Sequence, residues 1–71
     1  MHVDVDKLIT LIHRRSDEIE QSVAGTGYLS RTVIGVCTFL IDNEGDLELL
    51  SSKQKLTFER FILPLLNVPR R

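Results

Sequence analysis

Cys37 is the single thiol of this sequence, and His2 and His13 are its imidazoles. These residue types could do nucleophilic or acid–base chemistry. A thiol attacks carbon as the thiolate, which needs a base or a cation beside it. His2 stands in the opening MHVDVDK and His13 on the flank of the first helical pattern. Cys37 falls in the middle of the apolar run SRTVIGVCTFLI, from Ser30 to Ile41. A thiol there stays protonated, and Cys37 reads as core. Gly25-Thr26-Gly27 has the first two glycines of a nucleotide-binding loop, but the third would fall at Ser30. It also follows a helical pattern where that loop follows a strand, so it reads as a helix stop. The acids Asp42, Glu44, Asp46 and Glu48 alternate as in a calcium loop. Leu47 stands where that loop needs glycine, and no glutamate closes it. No general acid, base and nucleophile can be grouped. The expectation is no enzyme, no cofactor and no metal.

The element that must position any site is the Ser30–Ile41 run. As a strand it would show two apolar faces, with only Leu47–Leu50 to pair with across a polar turn. As a helix it sorts cleanly. Leu29, Val33, Val36, Cys37, Leu40 and Ile41 share one broad side, while Arg31, Gly35, Thr38 and Asp42 line the other. Ser30 suits the N-cap, and Asn43 with Gly45 suits the stop. The helical pattern outweighs the β-branched residues and the glycine.

Two further helices flank it. Asp4 or Asp6 caps the first, after a loose start at Met1 to Val3. Val5, Leu8, Ile9, Ile12, Ser16, Ile19 and Val23 then fall on one side, with Arg14 and Glu18 as an i, i+4 pair. Gly25 ends it. Asp46 is placed to cap a single turn that tucks Leu47 and Leu50 inward. Ser51 with Gln54 has the capping-box spacing, and Phe58, Phe61, Ile62 and Leu65 form the apolar stripe of the third helix. Pro64 shares the water-facing line of Lys53, Thr57 and Arg60, where a kinked last turn is tolerated better than a stop at Leu63. The sequence therefore predicts an all-α three-helix bundle, with helices at about 5–23, 30–43 and 52–66, as a single domain over 1–71.

Composition bounds what such a bundle could do. The 71 residues are 42% hydrophobic and 27% charged, with a formal net charge of −1. A chain of this size buries only roughly 60% of its unfolded surface, so apolar residues are left outside. Near-neutral charge gives no long-range field to recruit nucleic acid or an anionic membrane. No apolar run reaches the ~20 residues of a membrane span. One cysteine rules out an internal disulfide, and a reduced, cytoplasmic setting is expected.

The function is sought in what the core leaves over. Leu11 projects away from the stripe of the first helix. Phe39 points with Tyr28 toward the side holding Gly35, where Thr32 also falls, and Leu56 with Leu63 forms a second line on the third helix. These six residues read as partner-binding, with Gly35 allowing close approach and Phe39 as the anchor. The expectation is a non-catalytic interaction module, a homodimer or the binder of another protein. The alternative is a small nucleic-acid-binding or regulatory domain using Lys53, Lys55, Arg60 and Arg70-Arg71. Lysines at the start of a third helix resemble helix-turn-helix organisation. The connection from Asn43 to Ser51 is longer than the turn of that motif, and acids lie beside both basic clusters, His13-Arg14-Arg15 and Lys53-Gln54-Lys55.

Overall fold

Asp4 opens the first helix: its carboxylate accepts the backbone N–H of Asp6 at 2.9 Å and of Lys7 at 3.4 Å. Two donors that a helix start leaves unpaired are thereby satisfied. The structure is a computed structural model and describes residues 2–67. Arg70 and Arg71 lie outside the described residues, as does Met1. Among the described residues there are four helices: α1 (Val5–Arg14), α2 (Ser16–Val23), α3 (Ser30–Asp42) and α4 (52–66). A 3₁₀ turn at Leu47–Leu49 joins α3 to α4. The bundle is all-α, as the periodicity predicts.

The fourth helix comes from a break. The spacing predicts one helix through 5–23, but the backbone leaves helical geometry at Arg15, with φ −128° and ψ 28°. The Arg15 fork explains what holds the joint. Its Nε and Nη2 donate to the Glu18 carboxylate at 3.0 and 2.8 Å, and Nη2 also donates to the Leu65 carbonyl at 2.9 Å. The pair expected from Arg14 to Glu18 is formed one residue later. These hydrogen bonds hold the Glu18 carboxyl below its usual range.

The same break moves Leu11. Averaged along one long helix, the apolar direction runs through Ile12 and Ile19 and leaves Leu11 outside. Released from α2, the shorter α1 turns Leu8 and Leu11 inward, both wholly buried, while Ile9 is 37% exposed. Leu11 is core, not partner-binding.

The start of the chain is also tied down, against the expectation of a loose end. Val3 N–H donates to the Gly45 carbonyl at 2.9 Å, and His2 bridges to Asp46. Gly45 has φ +77°, and a Cβ there would strike the Val3 carbonyl oxygen. Only glycine fits. The turn itself closes α3 by two bonds back into the helix, Gly45 N–H to Leu40 O at 2.7 Å and Glu44 N–H to Ile41 O at 3.4 Å.

The core gathers Leu8, Leu11, Ile19, Val23, Val33, Val36, Cys37, Leu40, Leu50, Phe58, Phe61 and Ile62. α3 lies against α1, α2 and the middle of α4. Leu29, expected inside, is 53% exposed, because it is the extended residue before the helix, which begins at Ser30. α4 starts on the Ser51–Gln54 capping box. It is α-helical over Ser52–Thr57, widens to π-helical over Phe58–Ile62, and closes as α-helix over Leu63–Leu66. Leu63 N–H reaches back five residues to Phe58 O. The wide turn stands directly before Pro64, whose ring would otherwise meet the carbonyl four residues back. The helix therefore continues past Leu63, by widening where a kink was expected. Thr57, expected to face water, is buried, its hydroxyl donating to Lys53 O at 3.1 Å.

Candidate functional site

The face of α3 opposite the core carries Arg31, Thr32, Gly35, Thr38 and Asp42, all exposed. It opens onto a groove of about 920 Å³ between α3 and the start of α4. Tyr28, Gly35 and Phe39 line this groove together, as the spacing predicts. Arg31 and Lys53 stand at it, and Val36, Thr32, Ser51, Gln54 and Thr57 complete the wall. A Cβ built on Gly35 would meet no atom within 4 Å. Phe39 is half-buried, packed on the core at its base.

The aromatic end is braced. The Tyr28 and Phe61 rings lie 4.7 Å apart at 58°, and the Arg60 guanidinium sits 5.6 Å from the first centroid and 5.3 Å from the second. Such stacking contributes roughly 0.5–1 kcal/mol at an exposed site and fixes the Tyr28 ring. Several polar groups of the wall already have partners. Ser51 N–H donates to Gln54 Oε1 at 2.8 Å, Gln54 N–H to Ser51 Oγ at 3.2 Å, and Thr57 to its own helix. What remains for a partner is an apolar floor, an open backbone at Gly35 and two cations. Neither a carboxylate nor an imidazole nor a thiol lines the groove.

The other expected residues lie elsewhere. Leu63, 38% exposed, borders a second hollow of about 320 Å³ with Val3, Leu47 and Phe58. Leu56 is 55% exposed and lines neither hollow. Leu56 and Leu63 do not join the Phe39 face, because α4 turns its groove side through Lys53, Gln54 and Thr57. Of the basic residues, Lys53 lines the groove and Arg60 stacks on its Tyr28 ring, while Lys55 lines the second hollow. Thr32 lines the groove on the side where the spacing set it with Gly35. Sequence reasoning missed Val36, read as core alone, and Ser51 and Thr57, whose place depends on the packing of α4.

The residues tested for chemistry are dispersed. Cys37 is wholly buried, and burial pushes its thiol up to about 12. His13 is exposed, and His2 lies 3.9 Å from Asp46, which also accepts Glu48 N–H to cap the 3₁₀ turn. Among the described residues, no three His, Cys, Asp or Glu side chains group to hold a metal ion. No helix among them is long and apolar enough to cross a membrane. The chain matches no family model, no curated protein and no solved structure.

Proposed function

We propose that this chain is a non-catalytic protein–protein interaction module, cytoplasmic, that self-associates through the outer face of α3 and the groove beside it. One observation carries the reading: Gly35 stands with open space over its backbone beside the half-buried Phe39 ring. A helix keeps glycine in its middle at a cost of roughly 1 kcal/mol against alanine, which close approach of a second helix offsets. The braced Tyr28 ring adds a rigid anchor of the kind interfaces favour. The nucleic-acid alternative has less support, since Lys55 lies at the second hollow, apart from Lys53 in the groove and Arg60 on the Tyr28 ring.

Light scattering at micromolar concentration should give a mass near twice 8.1 kDa. Phe39→Glu should give a monomer. Because Phe39 also rests on the core, Gly35→Gln is the companion variant: it leaves the core intact and should also dissociate the dimer. A wild type that stays monomeric at hundreds of micromolar overturns the reading.

A further inference from the structure

We infer that the second copy lies antiparallel on α3, about a two-fold axis near residues 36 and 37, so that Arg31 of each copy meets Asp42 of the other. The inference rests on the self-association proposed above and gives it a geometry and a partner.

The face itself argues for it. At 100° per residue, Arg31, Gly35, Phe39 and Asp42 fall within an arc of about 80°. Arg31 and Asp42 point in nearly the same direction, about 16 Å apart along the axis. Both are exposed, and among the described residues neither side chain has a hydrogen bond or ion pair. A face with a cation at one end and an anion at the other is complementary to itself only when the copies run antiparallel. Parallel copies would set Arg31 on Arg31 and Asp42 on Asp42.

The helix dipole gives a second, independent reason. α3 has no acid in its first turn and no base in its last. Instead Arg31 stands at the positive end and Asp42 at the negative end, each the wrong way round. An antiparallel second copy brings Asp42 to the positive end and Arg31 to the negative end, correcting both. The register that pairs these charges also brings each Phe39 within one residue, about 1.5 Å along the axis, of the second copy's Gly35, where the open backbone admits the ring. The contact closes on itself, as a two-fold interface must.

The test uses Arg31→Glu, Asp42→Arg and their equimolar mixture, with sedimentation equilibrium over a dilution series and circular dichroism to verify the fold. Each single variant turns two symmetry-related attractions into repulsions. Its dimer dissociation constant should rise roughly thirtyfold, while the helix itself is not weakened, because each reversal suits the dipole. The mixture should restore association as a heterodimer, since each copy then carries what the other lacks. A dimer that persists unchanged in both variants, or a mixture no tighter than its components, overturns the antiparallel geometry and leaves self-association standing. A wild type that is monomeric throughout, including one that binds an acidic protein partner instead, removes the self-association and this geometry with it.

Discussion

Gly35→Ala tests the proposed contact, because its expected effects on the single copy and on the proposed dimer have opposite signs. Gly35 is exposed in mid-helix, its backbone is ordinary right-handed helix, and an added methyl meets no atom within 4 Å. The substitution therefore creates no clash in the single copy. It removes the conformational freedom that glycine gives the unfolded chain, which stabilises by roughly 0.5–1 kcal/mol. For a domain of this size that raises the melting temperature by roughly 2–8 °C. The assay is thermal unfolding by circular dichroism at a dilution where the protein is monomeric. Sedimentation of the same variant at high concentration should show weaker association, because two methyls now stand where the helices approach. A lower melting temperature in the dilute sample would mean that the space over Gly35 is already filled. A stabilised monomer with unchanged association would remove Gly35 from the contact.

Two further outcomes follow from buried and paired groups. Burial raises the Cys37 thiol from 9.0 to about 12, so at neutral pH its thiolate is about a thousandfold rarer than in the unfolded chain. A thiol reagent should react with the folded protein far more slowly than with the protein in denaturant, and similar rates would take Cys37 out of the core. Because the folded value is the raised one, stability should also decline as pH climbs above 9 toward 12. The Arg15 hydrogen bonds lower the Glu18 carboxyl, so their contribution is present above the ordinary carboxylate range and lost as pH falls through the lowered value. Urea unfolding of Glu18→Gln should show a less stable protein than wild type at neutral pH, with the two converging in acid. Parallel pH profiles would show that the pair contributes nothing.

How much of this was legible in the sequence depends on how far each cause lies along the chain. Asp4 (of the two acids read there), the Ser51–Gln54 box and Asp46 act within a turn of themselves and cap as read, whereas Ser30 does not: Leu29 holds the N-cap position of α3, with no side-chain cap. The outward line Arg31, Gly35, Thr38 and Asp42 is also as read, since a 13-residue helix repeats its period often enough to settle its own orientation. The break at Arg15 was not legible, because one of the groups that holds it is a carbonyl at Leu65, fifty residues on. Leu11 was misplaced by the same contact. Val3 was read as loose because its partner, Gly45, lies beyond three intervening helices. The grouping of Tyr28, Gly35 and Phe39 was readable from one helix alone. Separating Leu56 and Leu63 from them needed the packing of α4 against α3.

The outer face of α3 differs from the rest of the surface in that its local choices work against its own helix. Gly35 costs the isolated helix roughly 1 kcal/mol, and Arg31 and Asp42, at the wrong ends of the dipole, a few tenths to about 1 kcal/mol each. A 71-residue protein has on the order of 4–10 kcal/mol of stability in all, so these choices are not negligible. Elsewhere α1 and α4 begin with well-formed caps, and the glycines at 25 and 45 sit where positive φ requires them. Glu44 also departs from its preference, at φ 59°, but it does so inside a turn closed by two backbone bonds. Among the described residues, nothing repays Gly35, Arg31 or Asp42. Sequences that are locally consistent almost everywhere tend to break local rules where function demands it. Three such departures on one exposed face, each relieved by the same antiparallel neighbour, point to a contact made outside this chain.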